Sequence, residues 1–446
     1  MVTVVHEHWG VAMRTGTRTK RGLALVVAVA AAVSVTGLVT PAGAQSGKVP
    51  GVTAKEIKVG AVVGKTNPTG APYEQVAEGA EMYFDYVNKR GGIYGKKYKM
   101  VAVLDDQTRD SKNLINTRSL VEEKDVFAVI MATQTFAGAT YLVEKGVPTF
   151  GWNIQDEWSR GPNLFGDKGS WLCFGAGCYS MAPAYAAQQE GVKAAGTLGY
   201  GSSPQSADCS KSQETTFNRW GPPMVLADRS LSFGFSANDI SAAVKEIKDR
   251  NVGFMSPCMD LNGAVNFNKA LKQAGVPDVK WYAPEGYREE VLEDLGAELE
   301  NFIFVVSFLP FDQAQYSPGM KKFLAEAKKR KIAPSEHLLV GWQNAMLLNE
   351  GIKLSGKDFT QKSVVDEINK LTSWTAEGTR APIDWTSGHT PTGPNELSCS
   401  AYVKVKDGKF QTVYGKPGKP FICHRQNPWP ASLNEVIYLA PGEAAT

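Results

Sequence analysis

Apolar and polar positions over residues 56–152 fall into a repeating order of strand, polar loop and helix. Residues 56–63 predict a strand that runs into the polar loop 64–73. Beyond it, Val76, Ala80, Tyr83, Phe84 and Val87 recur at the helical period on one face, and Arg90-Gly91-Gly92 ends the helix. Strands predicted at 99–104 and 126–131 run into Asp105-Asp106 and into Ala132-Thr133-Gln134-Thr135. Strands alternating with helices predict an α/β fold with a parallel sheet, and in such sheets ligands bind off the carboxyl ends of the strands. The polar loops lie at those ends, so the pattern predicts a ligand cleft.

The pattern then repeats. A strand at 194–198 ends in the loop 199–204, followed by a helix over 213–220 and a strand at 224–227. Asn238-Asp239 offers a cap for a helix on which Ile240, Val244 and Ile247 share a face. A strand at 252–255, a loop through Cys258 and Asp260, a helix over 264–274 and a strand at 280–283 complete the second unit. Two such halves facing one another enclose a cleft. The apolar run 301–308 predicts another strand, and helices are predicted over 318–331, 336–354 and 359–371. In the last eighty residues, strands at 399–406 and 410–414 flank Asp407-Gly408, a hairpin pattern. This tail reads as an addition to one lobe.

Ahead of the first strand, Arg14, Arg18, Lys20 and Arg21 precede an apolar run over 22–39 that closes on Ala42-Gly43-Ala44. This is the layout of a secretory signal peptide over residues 1–44, with cleavage after Ala44. Met13, just upstream of the basic cluster, is an alternative start. Cleavage removes those four basic residues and Glu7, so the 48 basic and 45 acidic side chains become 44 of each. A balanced mature surface offers nucleic acid no electrostatic footprint. About 400 residues exceed one usual core, which predicts two domains.

Cys173, Cys178, Cys209, Cys258, Cys399 and Cys423 all follow the signal segment, where an oxidising compartment favours disulfides. Spacing favours Cys173 with Cys178, Cys209 with Cys258 across two strand-end loops, and Cys399 with Cys423 in the last hairpin, among 15 possible pairings. Metal binding is disfavoured: His337, His389 and His424 are scattered and no C-x-x-C is present. Gly60 to Thr66 approaches a phosphate loop but has one residue too few between its glycines. A secreted hydrolase would need a G-x-S-x-G elbow, which the chain lacks.

Taken together, Ile57-Lys58-Val59-Gly60, Pro68-Thr69-Gly70, Gly79-Ala80, Tyr86-Val87-Asn88, Gly91-Gly92-Ile93-Tyr94-Gly95, Asp105-Asp106 and Gly146-Val147-Pro148 resemble a known family, with residues 270–275 marking a second lobe. The chain resembles type I periplasmic binding proteins, specifically the branched-chain-amino-acid-type substrate-binding proteins of ABC transporters. The resemblance implies two doubly wound parallel-sheet lobes joined by a three-strand hinge, with residues 51–176 and 305–375 in one lobe and 177–304 and 376–446 in the other. It further implies no catalysis, no cofactor, a monomer, a small-molecule ligand held between closing lobes, and delivery to a membrane permease. A ligand-sensing receptor of the same fold is the alternative.

The resemblance assigns the ligand to the loops 66–73, 132–135, 152–155, 200–206 and 258–260, which makes Tyr73, Thr133, Gln134, Thr135, Trp152, Asn153, Gln155, Tyr200, Ser206 and Asp260 the expected contacts. Amino-acid binders of this family hold the carboxylate with hydroxyls and backbone N–H groups in the second and third loops, and the ammonium with an acid in the fifth. Here the third loop has no hydroxyl and Leu261-Asn262-Gly263 follows Asp260. These departures, with Tyr73 and Trp152, suit a ligand larger or more apolar than a branched-chain amino acid. Each residue also has a structural role to weigh: Trp152 in lobe packing, Tyr73 in the first helical turn, Thr133 and Thr135 as caps, Asp260 as a helix N-cap, Glu285 as a solvated turn.

Overall fold

The structure, a computed structural model, describes residues 48–167, 180–283, 285–387, 389, 397–426 and 428–444. The signal segment and the Cys173–Cys178 pair lie outside these residues. The first lobe begins β1 (Glu56–Val63), α1 (Glu74–Asn88), β2 (Lys97–Asp105), α2 (Asp110–Arg118), β3 (Ala128–Ala132), α3 (Ala139–Lys145), β4 (Thr149–Gly151) and β5 (Leu164–Gly166). The chain continues through α4 (Ala182–Gln189), β6 (Ala195–Tyr200), α5 (Pro204–Trp220), β7 (Met224–Leu231), α6 (Ala237–Asp249), β8 (Phe254–Met255), α7 (Leu261–Gln273), β9 (Lys280–Ala283), α8 (Glu289–Leu295) and β10 (Phe302–Val306). It then forms α9 (Pro318–Arg330), α10 (Glu336–Ser355), α11 (Gln361–Ile368), β11 (Leu397–Lys406), β12 (Lys409–Val413), β13 (Phe421–Arg425) and β14 (Ile437–Leu439).

In the first lobe the strand order is β2-β1-β3-β4-β5, every pair parallel. β3 is a continuous apolar run, Ala-Val-Ile-Met-Ala, and all of it is buried, as a parallel strand covered on both faces requires. Alternation in β1 sends Ile57, Val59, Ala61 and Val63 into the core shared with α1 and α10, and Val62 to the opposite face with Leu120 and Leu142. α10 is buried on nearly every side, so its apolar residues do not form one stripe, and Gln343, Asn344 and Asn349 are buried among them. It crosses α1 at a glycine-to-glycine contact: a Cβ on Gly79 would stand 1.9 Å from the Leu338 carbonyl oxygen, and one on Gly341 would stand 1.9 Å from that of Val76.

The second sheet runs β7-β6-β8-β9-β10 in parallel and then changes direction. β11 pairs antiparallel with β10, β13 with β11, and β14 with β13, while β12 forms the predicted hairpin with β11. This lobe is therefore mixed where a parallel sheet was expected. The tail supplies an inner strand of the sheet, a larger part than the appended hairpin its sequence predicts. Cys399 and Cys423 face each other across β11 and β13 and form a disulfide. Cys209 also bonds Cys258, but from within α5, where a strand-end loop was expected.

His424 of β13 is buried, with its Nε2 3.2 Å from the Leu433 carbonyl oxygen and its ring edge-on to Tyr185. Burial holds its pKa below the usual histidine value, outweighing that hydrogen bond. Below about pH 6.5 the unfolded chain takes up a proton that the folded chain refuses until lower pH. Stability is therefore expected to fall as the pH drops, by up to about 1.4 kcal/mol per pH unit for this group. Urea unfolding of wild type and His424→Asn at pH 7, 6 and 5 checks it; parallel pH profiles would remove His424 as a source.

Candidate ligand-binding cleft

A cavity of about 290 Å³ opens between loops that leave the carboxyl ends of both sheets. From the first lobe come Thr69 and Tyr73 after β1, Thr108 after β2, Gln134 after β3, and Trp152 and Ile154 after β4. The second lobe answers with Tyr200 at the end of β6, Phe233 after β7, Met259 and Asp260 after β8, and Glu285 after β9. Each parallel strand that reaches the cleft thus contributes its following loop, the placement the sheet topology dictates.

The first-lobe wall is aromatic and backed by the first turn of α10. Trp152 is 1% exposed and lies flat against His337, ring centroids 4.1 Å apart and planes within 10°. Tyr73 meets both rings edge-on, at 6.2 Å from Trp152 and 5.7 Å from His337. Trp152 therefore packs the lobe and lines the cavity at once. Burial, reinforced by the nearby Glu285 charge, pushes the Tyr73 phenol well above its ordinary pKa, so it stays a neutral donor. Gln134 donates to the Thr69 hydroxyl at 3.0 Å, which ties the loops after β1 and β3 together.

Opposite, Asp260 caps α7, its Oδ1 accepting from the Gly263 N–H at 2.9 Å, while its Oδ2 accepts from the Tyr200 hydroxyl. Burial and the Asp260 charge raise the Tyr200 pKa, so this hydroxyl too remains protonated. The Ser206 hydroxyl accepts from the Tyr200 N–H at 2.7 Å and donates to the Cys258 carbonyl at 2.5 Å. It joins the end of β6 to the loop after β8, and the Cys209–Cys258 disulfide closes the same joint and lines the cavity. Asp260 and Glu285 are carboxylates, and none of the described lining residues is Lys, Arg or His. The cleft potential thus favours a cationic or donor-rich group beside an apolar body.

Of the sequence-predicted residues, Tyr73, Gln134, Trp152, Tyr200, Ser206 and Asp260 border the cavity. Thr133, Thr135, Asn153 and Gln155 are not among its lining residues. Thr133 is buried and accepts from the Thr135 N–H, and the Thr135 hydroxyl donates to Asp110. Neither caps a helix, because α3 begins after Gly138. Gln155 donates to the Thr133 carbonyl at 2.6 Å and accepts from the Trp158 indole at 3.2 Å. Asn153 packs its Cβ where a side chain on Gly166 would stand. These groups shape the loops behind the wall.

Residues 56–409 match the family described as "Periplasmic binding protein". The chain belongs to that family. It is 23% identical over 383 residues to the Leu/Ile/Val-binding protein homolog 7 of Brucella suis biovar 1, covering 80% of this chain and 91% of the relative. Among solved structures it resembles a solute-binding protein of an ABC transporter from R. palustris in complex with benzoate, at TM-score 0.64 and 19% identity, over 80% of this chain and 95% of that one. The branched-chain amino acid transporter substrate-binding protein LivJ from Streptococcus pneumoniae, in complex with isoleucine, gives TM-score 0.64 and 19% identity over 80% and 99% of the two chains.

For this periplasmic binding protein, sequence reasoning read Glu285 as a solvated turn residue and left out Phe233, and both border the cavity. Glu285 lies in the loop after β9 as Asp260 lies in the loop after β8, so the carboxyl end of that short strand was its available signal. Phe233 lies in a polar loop whose one clue is a pair of phenylalanines around Gly234.

Proposed function

We propose that this chain is an exported, non-catalytic solute-binding protein that captures a small organic molecule between its lobes and presents it to an ABC-type permease. The lobe division 51–176 with 305–375, and 177–304 with 376–446, belongs to this reading and is supported by the packing of α10 on α1 and the pairing of β11 with β10. Within the described residues no helix is long and apolar enough to cross a membrane. The observation that carries the reading is the cavity itself, walled by strand-end loops of both lobes, with Tyr73 and Trp152 across from Tyr200 and Phe233. Closure follows if the bound molecule makes contacts with both walls that an open cleft cannot offer.

The ligand class follows from the walls: an apolar body larger than a branched-chain side chain, carrying an amine. Similar proteins were solved with isoleucine and with benzoate, an apolar body with a carboxylate in each case. Here the Gln205 N–H at the start of α5 and the Ser202 hydroxyl before it border the cavity and suit such a carboxylate, while Asp260 and Glu285 suit an ammonium.

Thermal unfolding of the mature protein with leucine, phenylalanine and benzoate tests the reading, since a ligand at 100 times its Kd adds about 2.7 kcal/mol to stability. Phenylalanine is expected to raise the Tm most. No shift from any of the three, with turnover of one of them, would overturn the binding reading. Glu285→Gln is expected to lower affinity for phenylalanine about tenfold, the usual scale of one charge-assisted contact, and to leave benzoate affinity within about twofold. Equal losses for both would remove Glu285 as an ammonium partner.

A further inference from the structure

Tyr73, Trp152 and Tyr200 are at most 4% exposed, whereas Phe233, which borders the same cavity, is 44% exposed. An aromatic ring left half in water next to a buried aromatic wall offers apolar surface that a bound apolar group would cover. The posture of the ring is not accidental, because its loop leaves β7 at Leu231, paired with Tyr200, and is anchored again just beyond Phe233. Phe235 turns inward onto Phe267 of α7, ring centroids 4.9 Å apart. Ser236 starts α6 through a capping box with Asp239. Between the two phenylalanines, Gly234 takes φ +70°, a left-handed conformation that lets the neighbouring side chains diverge. Phe233 is thus held over the Tyr200 ring at 4.4 Å and 33°. Tyr200 is fixed in turn by its hydroxyl on Asp260 and by Gly263, where a Cβ would approach its hydroxyl oxygen to 3.2 Å.

We propose that Phe233 is the specificity-determining residue of the cleft: with Tyr200 it forms an apolar plate on which the ligand's aromatic or long aliphatic part is laid. The inference rests on the solute-binding reading and adds to it the rule by which ligands are ranked. Affinity rises with the size of the apolar body, because a larger body covers more of the exposed ring.

Calorimetric titration of wild type, Phe233→Ala and Phe233→Tyr with phenylalanine and with alanine tests it. Phe233→Ala is expected to weaken phenylalanine binding about tenfold, equivalent to about 1.4 kcal/mol. Alanine binding changes by less than about twofold, and Phe233→Tyr restores the wild-type ratio, as plate contacts of this size require. The exposed position makes a folding defect small, and an unchanged urea midpoint verifies that. Wild type that binds phenylalanine with a ratio unaltered in Phe233→Ala overturns the role of Phe233 alone. Wild type that binds neither amino acid overturns the ligand class of the solute-binding reading, and this inference with it.

Discussion

Replacing Arg380 with methionine is expected to destabilise the protein by about 3–5 kcal/mol in urea unfolding at neutral pH. Arg380 and Asp167 form an ion pair in which the side chains are 5% and 1% exposed. Asp167 directly follows β5, on the first passage between lobes. Arg380 lies on the third passage and bridges Phe308 on the second, so one pair ties all three. Burial works against the charge of the guanidinium and lowers its pKa, and the Asp167 carboxylate is the opposite charge in contact with it. Its Nε also donates to the Ala381 carbonyl at 3.1 Å. Methionine fills the volume but strands the Asp167 carboxylate in the core. Adding Asp167→Asn is expected to recover part of the loss, because the unpaired charge is the main cost. The deficit of the single variant should shrink toward pH 4, where the stranded carboxyl takes up a proton in the folded state. A cost under about 1 kcal/mol at pH 7 would mean that the pair contributes little to holding the passages together.

Gly341→Ala is expected to cost about 3 kcal/mol, at the upper end for overpacking, despite alanine being the better helix former. The new methyl group would stand 1.9 Å from a backbone carbonyl of α1, and no rotamer change moves a backbone atom. The helices must separate instead. Because His337 of α10 backs Trp152, separation is also expected to loosen the first-lobe wall and weaken ligand binding. Gly79→Ala should behave alike from the other helix. Urea midpoints and calorimetric affinities for both variants check this; a Gly341→Ala protein as stable as wild type would show that α1 and α10 do not need their close approach.

Much of this architecture was legible in the chain because its periodicities are strong. β1 and β9 lie where alternation and apolar runs place them, and α10 ends one residue beyond the predicted 354. What escaped has physical reasons. α5 starts at Pro204, nine residues before the apolar period becomes visible, because Ser203-Pro204 reads as a turn yet supplies an N-cap and a residue suited to the first helical position. β4 and β5 have three residues each, too few for alternation to show. In the cleft, strand order brings the expected loops to the cavity, but a loop has no period from which side-chain direction can be read. Gln134 therefore reaches the cavity while Thr133 and Thr135, its neighbours, do not.

The late arrival of β11 has a consequence for how the molecule is made. β11 lies between β13 and β10, so the second sheet lacks an inner strand until residues beyond 397 are available. The first lobe waits as well, since α10 packs on α1 across a separation of more than 200 residues. Neither half exists as a contiguous stretch that could fold while the rest is still being synthesised. Such long-range pairing slows folding, and it makes assembly of both halves a single late event. A chain stopped short of β11 would expose the edge of β10, an apolar strand open to pairing with another copy, so truncation would lead to aggregation and not to a smaller working protein.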